Sequence, residues 1–433
     1  MLLRHCASFN RLLYSARTSP PQSIVEELSR FDSDVRACFC DVMRLELSDS
    51  EWEQAQLATK LGGLGLRSCA IHSAASFVSS VAGTVALQTA IWPPLTREVV
   101  WAEPEVVQAL SDLAPRLPCV LAICLANGDS VPQRVLSKAI DRARFDRALL
   151  DAASPLHMKA HLQLVSQVGA DAWQHALPSE ELHTRMPSEL FRLTVARWLR
   201  VRFLNEQAAC PCCGSCLDAY MDHALVCSCG GDRTLRHNAI RNSFFRSAVD
   251  SGVCAEKEKE GLLPPCPEDE SLRGERGPGG RRPADVWLRA GPDGGPCAID
   301  FAVTSGLRSD NIRTSFEEPS AIFGQYEEFK RQHADTLAQC QAQRLSFIPF
   351  VVEADGGGLG AAARRICGFV AKSGAARDGE DVEVQAVSLF RCISISLQRE
   401  NARAVLRRLP TAPAQSQPGA NPDAWTLDST EWQ

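Results

Sequence analysis

One segment near the middle of the chain, "ACPCCGSCLDAYMDHALVCSCGGDRTLRHN", constrains the local fold most strongly. It places six cysteines and two histidines within about thirty residues. The chain lacks a secretory signal, which would join an apolar stretch to a small-residue cleavage site, so we expect its 18 cysteines to be mostly reduced. Thiols and imidazoles clustered in a reducing compartment favour a metal site over a disulfide knot.

The spacing of this segment predicts a closed zinc knuckle. A CxxC pair in a turn points two thiolates at one ion, and a histidine four residues before a cysteine shares a helical face with it. The four predicted ligands are Cys210, Cys213, His223 and Cys227. Four protein ligands leave no open position, which indicates a structural zinc. The register stays open, because Cys212, Cys216 and Cys229 are spare and Cys213 with Cys216 forms an alternative CxxC.

Hydrophobic periodicity differs on the two sides of the segment. Before it, apolar residues recur at helical spacing without convincing strand alternation. We predict helices at about 23–45, from 48, and at 69–91, 104–113, 131–152, 155–167 and 188–206. After it, we predict helices at 236–252, 317–343, 358–373 and 384–408, with strands within 253–263, 284–290, 296–305 and 345–354. The fold class is therefore α+β and multidomain: an all-α N-terminal half, the zinc knuckle, and a C-terminal α/β core with a small mixed sheet.

The charge distribution limits the kind of nucleic-acid partner. A net charge of −6 argues against a protein that coats nucleic acid by bulk charge, but it leaves room for a local basic groove. The predicted helix "SELFRLTVARWLRVRFL" carries four arginines, Arg192, Arg197, Arg200 and Arg202. As a group they could follow phosphates, and a solvated helix face is the alternative.

Two segments bear on localisation. Residues 69–92 are uncharged for long enough to span a bilayer, but their serines and their histidine favour a buried helix, so we expect no membrane partner. Arg4, Arg11 and Arg17 precede the first acid, Glu26, which resembles a mitochondrial presequence. We treat that presequence as the alternative to a nuclear or cytoplasmic location.

A pair of aspartates in "RRPADVWLRAGPDGGPCAIDFAVTS" forms the second candidate site. If a hairpin turns at Asp293, then Asp285 and Asp300 lie eight and seven residues from the turn and become near neighbours across the strands. Asp300 also interrupts an apolar run, where an unpaired carboxylate would be costly. Two converging carboxylates suit Mg²⁺, which can activate water for attack on a phosphodiester.

Charged residues on either side could complete this site. Glu256, Glu258 and Glu260 alternate along the predicted strand and would share one face, so that one of them could supply a third oxygen ligand. Lys330, on a predicted helix, could neutralise developing charge or orient water. For each charge alone, a solvated surface position is the alternative.

Most of the chain resembles the C-terminal part of reverse transcriptases from site-specific non-LTR retrotransposons that carry a restriction-endonuclease-like domain. "LLRHCASFNRLLYSARTSPP", "RFDSDV" and "LGGLGLRSCAIHSAASFVSS" resemble the thumb and the helices that follow the polymerase. "CPCC…DHALVCSCGGDRTLRHN" resembles the CCHC knuckle of that family. "EKEKEGLLP…RPADVWL…CAIDFAVTS" and "EEFKRQHADTLAQC…LSFIPFVVEADGGG" resemble a PD-(D/E)xK-type nuclease core.

The resemblance implies roles for individual residues. It makes Asp285 and Asp300 metal-binding carboxylates, Glu258 the upstream acid and Lys330 the migrated catalytic lysine. It places Arg236 and His237 near the DNA backbone. It also implies the following organisation: a helical thumb-like region at 1–115, a helical connector at 116–206, the knuckle at 207–235 and the nuclease-like domain at 236–408. The remaining residues, 409–433, are rich in Pro, Ala, Ser and Gln, which predicts a disordered tail.

The chain departs from the family pattern in places that bear on activity. Ala284 separates Pro283 from Asp285, and Ala302 stands where the motif has lysine. We find no YADD-like pair of aspartates, so no polymerase palm is expected. The sequence thus predicts a Mg²⁺-dependent nuclease that nicks DNA, or an inactive nucleic-acid-binding remnant. Its expected partners are DNA, element RNA and a separate polymerase.

Overall fold

The protein is described by a computed structural model that covers residues 2–263 and 284–410. These residues form two compact units, 2–154 and 155–410, the latter without 264–283. This division lies at 154/155, and the boundaries at 115/116, 206/207 and 235/236 stay predictions. Helices on both sides of residue 115 share one core, and the cysteine-rich segment belongs to the second unit. Residues 264–283 and most of the predicted tail lie outside the described residues.

The first unit is helical throughout its described residues. Its α-helices are α1 (Phe9–Thr18), α2 (Val25–Met43), α3 (Asp49–Gln56), α4 (Cys69–Ile91), α5 (Arg97–Ala102), α6 (Pro104–Leu113), α7 (Cys119–Ala126) and α8 (Gln133–Leu150). The expectation of an all-α N-terminal half is confirmed, because the described chain contains no strand before Ala208.

Helix α4 is the centre of the first unit. Buried residues of α4, among them Phe77 and Val78, pack with residues of α6 and α8, such as Leu113 and Ile140. The carboxylate of Asp32 on α2 accepts hydrogen bonds from the first backbone N–H groups of α4, at 2.7 and 3.1 Å. A negative charge at this end satisfies otherwise unpaired donors and complements the helix dipole.

The length and apolar composition of α4 would also allow it to cross a membrane, and it is the one helix in the described residues for which this holds. Half of its most apolar window is buried inside the protein. The buried part packs against neighbouring helices, as predicted for a core helix. Such a helix is weak evidence for a membrane span, since core helices of soluble proteins share these properties.

The second unit contains helices and all the described strands. In chain order it comprises α9 (Leu156–Val165), α10 (Ser188–Trp198), β1 (Ala208–Ala209), β2 (Cys216–Leu217), α11 (Asp222–Val226), α12 (Asp232–Asp250), β3 (Ala255–Lys257), β4 (Val286–Leu288), β5 (Cys297–Thr304), α13 (Ile312–Glu317), α14 (Ala321–Gln332), α15 (Thr336–Ala342), β6 (Ser346–Glu353), α16 (Ala361–Asp378) and α17 (Val382–Leu406). The predicted α/β character with a small mixed sheet is confirmed.

The larger sheet has the strand order β3-β4-β5-β6, with β6 parallel to β5 and the other neighbours antiparallel. Alternate residues of β5 face opposite layers. Ile299 and Phe301 pack against α12, α16 and α17, whereas Ala298 and Ala302 face α14 and α15. Asp300 has the parity of Ala298, so it points toward the layer that contains α14.

Three predicted elements end earlier than the sequence suggested. The helix expected at 188–206 ends at Trp198, and Arg200 adopts a left-handed conformation with φ 58°. The helix expected at 317–343 is interrupted where Ala334 and Asp335 have φ near 50°. The strand expected within 253–263 ends at Lys257. Local periodicity continued past all three points, but the backbone turns to meet tertiary partners.

A buried ionic group lies inside the first unit. Arg67 donates two hydrogen bonds to Oδ2 of Asp141, at 2.9 and 2.7 Å, and Nε2 of His72 lies 3.3 Å from Oδ1. His72 and Asp141 are fully buried. Burial lowers the pKa of His72 despite the adjacent carboxylate, so the folded protein favours the neutral imidazole.

We expect the first unit to lose stability in mild acid. The unfolded chain protonates His72 below its ordinary pKa of 6.5, whereas the folded chain resists that proton. The stability is therefore present above pH 6.5 and falls as the pH decreases, by up to about 1.4 kcal/mol per pH unit for one such group. Urea unfolding midpoints on both sides of this pH measure the effect.

The control is His72→Gln, which keeps a polar group of similar size but removes the titration. Its unfolding midpoint should fall less between the two pH values than that of the wild type. An equal fall would assign the acid sensitivity to other groups and contradict the prediction.

Candidate functional site

The four predicted metal ligands converge. One ligand atom from each of Cys210, Cys213, His223 and Cys227 lies within 4.8 Å of the other three. Nε2 of His223 is 3.2 Å from Sγ of Cys213. This arrangement selects Cys210 with Cys213 over the alternative pair Cys213 with Cys216. It is the one cluster of three or more such ligand atoms that the described residues form.

Local backbone geometry aims these side chains. Gly214 adopts φ 74° and donates to the carbonyl of Cys210 at 2.8 Å, which closes the turn that carries both thiols. The carboxylate of Asp218 accepts from the backbone N–H groups of Asp222 and His223 at 2.9 and 2.7 Å. It thereby starts α11, the helical turn that places His223 opposite the CxxC pair.

The donor set fits a metal ion such as zinc. Hydrogen bonds from Ser215 lower the pKa of Cys213 to about 6, so this thiol is mostly ionised at neutral pH. Burial raises the pKa of Cys227, and a bound cation would favour its thiolate form. No disulfide forms among the described cysteines.

Two of the arginines predicted to bind nucleic acid instead anchor the cysteine-rich segment. Arg200 makes a two-pronged ion pair with Asp222, at 2.6 and 3.0 Å, and stacks over the ring of Tyr220. Arg197 donates to the carbonyl of Tyr220 at 3.1 Å and pairs with Asp355. Arg197 is only 6% exposed and Arg200 only 2% exposed. The charges of both arginines are paired inside the fold, which argues against the predicted phosphate contacts.

Arg236 and Arg408 also hold the cysteine-rich segment through hydrogen bonds inside the fold. Arg236 is buried and donates to Asn401 at 3.0 Å and to the carbonyl of Leu225 at 2.8 Å. Arg408, from the end of α17, pairs with Asp232 at 2.6 Å and donates to the carbonyl of Cys229 at 2.9 Å. Arg236 therefore also has a structural role, and its predicted place near a DNA backbone stays a prediction.

The second candidate site forms where β4 meets β5. The register pairs Val286 with Ile299 and Leu288 with Cys297, and its extension by one step sets Asp285 opposite Asp300. The predicted hairpin alignment is thereby confirmed. Asp285 lies just before β4, and its Oδ2 accepts the backbone N–H of Phe301 at 2.7 Å, in place of the next ladder bond.

His237 and Lys330 approach the two carboxylates from helices on opposite faces of the sheet. Nε2 of His237, on α12, lies 3.1 Å from Oδ2 of Asp285 and 3.1 Å from the carbonyl oxygen of Phe301. Because both partners are acceptors, this nitrogen carries the proton. Nζ of Lys330, on α14, lies 2.9 Å from Oδ2 of Asp300. About a quarter of each of the four ionisable side chains is exposed, so solvent reaches the group.

The pKa values of the two carboxyl groups are shifted in opposite directions. Burial and the nearby charge of Asp285 raise the pKa of Asp300, although Lys330 partly offsets both. Burial alone would raise the pKa of Asp285, but the hydrogen bond and the charge of His237 outweigh burial and lower this pKa. The same contact raises the pKa of His237, against the effect of burial. A pair whose environments separate its pKa values is a common feature of catalytic and cation sites.

The predicted third acid is engaged elsewhere. The strand ends at Lys257, and Glu258 has φ 50°, so the expected shared face of Glu256, Glu258 and Glu260 does not form. The backbone N–H of Glu258 donates to the carbonyl of Asp285 at 3.0 Å, while its carboxylate pairs with Arg241. In the described chain no third acid, histidine or cysteine completes a ligand set with Asp285 and Asp300.

Sequence reasoning missed a second buried acidic pair, Glu353 and Asp355. The Glu353 carboxylate accepts backbone N–H groups of Gly306, Asp355 and Gly356, and burial raises its pKa to about 8. Gly356 is required there, since a Cβ atom would lie 2.4 Å from the carbonyl oxygen of Leu164. The signal was available, because "FVVEAD" interrupts an apolar run as Asp300 does. Both acids are buried and shape the turn after β6.

No protein-family model matches this chain, and no curated protein sequence is significantly similar to it.

We expect the folded chain to hold one metal ion such as zinc. Cys210→Ser or Cys227→Ser should abolish stoichiometric binding, because each removes one of four ligands. Chelation should unfold the segment, since metal binding and folding are coupled in small metal sites. Elemental analysis and thermal unfolding measure both effects.

The matched control is Cys216→Ser, which removes an exposed thiol from the same segment without removing a ligand. Full metal content in this variant is expected. Equal loss of metal from Cys216→Ser and Cys210→Ser would contradict the ligand assignment.

We also expect Arg197→Ala to act on stability. It leaves the buried carboxylate of Asp355 unpaired, which typically costs about 3–5 kcal/mol. The exposed Arg202 on the same segment is the control, and Arg202→Ala should change the free energy of unfolding by no more than about 0.5 kcal/mol. Equal stability of the two variants in urea unfolding would refute the structural role.

Proposed function

We propose that this protein is a retroelement-derived, Mg²⁺-dependent endonuclease that nicks target DNA by phosphodiester hydrolysis. The observation that carries the proposal is the convergence of Asp285 and Asp300 at the β4–β5 pairing, with His237 and Lys330 against them. The resemblance of the surrounding segments to a PD-(D/E)xK core adds to it. The same resemblance suggests DNA, element RNA and a separate polymerase as partners, in the nucleus or the cytoplasm.

The residues fit a hard divalent cation. Mg²⁺ is commonly held by one or two carboxylates, with water and substrate phosphate as its other ligands. Asp285 and Asp300 would hold it, and their mutual repulsion, which contributes to the raised pKa of Asp300, would be relieved by a cation. A bound Mg²⁺ would supply Lewis acidity toward a phosphate oxygen and a more acidic water.

The other residues have roles that follow from their contacts. His237 fixes the orientation of Asp285 through its Nε2 proton. Lys330 carries a positive charge beside Asp300, where it could stabilise negative charge that develops on a phosphate. The raised pKa of Lys330, due to Asp300 against the effect of burial, keeps that charge in place at neutral pH.

The cysteine-rich segment has a structural role in this proposal. Cys210, Cys213, His223 and Cys227 would hold one zinc ion in a closed site. The ion would stabilise the loop between α10 and α12, and α12 carries His237.

One observation favours a second candidate function, an inactive nucleic-acid-binding remnant. Lys330 pairs directly with Asp300, and Glu258 pairs with Arg241 rather than joining the two aspartates. In both ion pairs, an acid that an active nuclease would use to bind its metal ion is neutralised by a cation of the protein. The same pairing occupies the cations that would otherwise contact the substrate phosphate.

Incubation of the full chain with supercoiled plasmid and Mg²⁺ tests the proposal. The wild type should produce nicked circles. Asp285→Asn with Asp300→Asn keeps the side-chain shapes and should abolish nicking, because it removes both anionic ligands. Lys330→Ala should slow nicking by about 10²-fold or more, the typical cost of one lost transition-state donor.

The matched control is Asp293→Ala with Asp310→Ala, which removes two exposed carboxylates from the same unit. This variant should nick as the wild type does. Intact supercoils with the folded wild type, or nicking that survives in the Asp285/Asp300 variant, would refute the endonuclease. Salt-dependent binding without cleavage, unchanged in that variant, would establish the second candidate.

A further inference from the structure

A cavity of about 360 Å³ lies between α12, α17 and the edge strand β3. Ala239, Asn242 and Arg246 line it from one face of α12, and Ser396, Arg399 and Glu400 line it from α17. Lys257, at the end of β3, and the ring of Phe245 complete its walls. Its size lies in the range of small-ligand sites, about 300–1,000 Å³.

The lining has an excess of positive charge. Three of its side chains are cationic, Arg246, Lys257 and Arg399, and one is acidic. That acid, Glu400, is already paired with Arg403 at 2.5 Å. Burial, followed by the nearby charge of Arg403, lowers the pKa of Arg399. Nη2 of Arg399 donates to the carbonyls of His183 and Arg185 at 2.6 and 2.9 Å, which fixes the guanidinium beside the cavity. An anion would relieve the repulsion between these cations.

An aromatic surface lies beside these cations. Nζ of Lys257 is 5.2 Å from the centre of the Phe245 ring, so positive charge and aromatic surface share one wall. Cationic donors bind phosphate, and an aromatic ring stacks against a nucleobase. Together they match the two ends of a nucleotide.

The cavity is separate from the carboxylate site. Arg246 follows His237 by nine residues on α12, or about two and a half helical turns, so the two side chains leave opposite sides of the helix. The metal ligands of the cysteine-rich segment do not line it either. A ligand here would bind without entering the Asp285–Asp300 site.

We propose that this cavity binds a nucleotide. Arg246, Lys257 and Arg399 hold its phosphate, and Phe245 contacts its base. The nucleotide belongs either to a nucleic-acid strand or to the free pool, since both present the same phosphate and base. The proposal goes beyond the endonuclease function and does not depend on cleavage.

Binding to the full chain tests it with three probes: a short labelled single-stranded oligonucleotide, ATP and inorganic phosphate. Arg246→Ala with Lys257→Ala should weaken binding of the oligonucleotide, of ATP, or of both by at least about tenfold. Loss with the oligonucleotide alone identifies a strand as the ligand, and loss with ATP identifies a free nucleotide. Phe245→Leu should weaken nucleotide binding and leave phosphate binding unchanged.

The matched control is Arg313→Ala with Lys372→Ala, which removes the same two charges from exposed positions outside the cavity. It should bind all three probes as the wild type does. Equal affinities in the cavity variant and this control would overturn the proposal. Loss of phosphate binding alone, with nucleotide affinity intact, would overturn it too, because the ligand would then be a simple anion.

The aspartate variant separates this result from the endonuclease test. Asp285→Asn with Asp300→Asn leaves the cavity intact and should keep wild-type nucleotide affinity. Failure of nicking with cavity-dependent binding would refute only the endonuclease. Nicking with nucleotide binding that is independent of Arg246 and Lys257 would refute only the cavity proposal.

Discussion

The antiparallel pairing of β4 with β5 is the constraint on which the carboxylate site depends. A shift of one residue would move Asp285 away from Asp300 and change the face of every side chain on β4. Apolar residues fix the register, because Val286, Leu288 and Ile299 must enter the core beneath α12. Burial of these apolar side chains thus holds the two carboxylates together against their electrostatic repulsion. The ionic partners of the carboxylates come from the helices on either face of the sheet.

Arginines hold the cysteine-rich segment because that segment is too small to build a core. Its strands β1 and β2 pair at only two positions, and its turns leave carbonyl groups without regular partners. Arg197 on α10, Arg236 on α12 and Arg408 in the turn after α17 donate to such carbonyls. Their guanidinium groups also pair with or donate to Asp355, Asn401 and Asp232. Several guanidinium groups therefore perform the task that apolar packing performs in larger domains, and a metal ion held by the four Cys and His ligands would share it.

Much of this arrangement could be predicted from local sequence, and the failures share one physical cause. Helical periodicity, the CxxC spacing and the distance of each aspartate from the turn depend on neighbouring residues. The structure accordingly has most of the predicted helices, brings the four Cys and His side chains together, and sets Asp285 opposite Asp300. Whether Arg197 lies on a solvated face depends on Asp355, which is 158 residues away. Glu258 does not lie on the strand face predicted for it, and its carboxylate pairs with Arg241 on α12. Charge partners that are distant in sequence produce no periodic pattern, so burial of a charge cannot be inferred from its neighbours.

The ion pairs at the carboxylate site bear directly on the proposed cleavage. Asp300 is paired with Lys330 and Glu258 with Arg241, so each acid is neutralised by a cation that would also attract a phosphate. Glu258 is half exposed but Arg241 only a tenth exposed, and Lys330 and Asp300 are each about a quarter exposed, so water reaches both pairs in part. A phosphodiester backbone would offer both cations a second anion in a less hydrated setting. In the proposed function, the substrate itself would then release Asp300 and Glu258, so that the acidic groups become available only when DNA is bound.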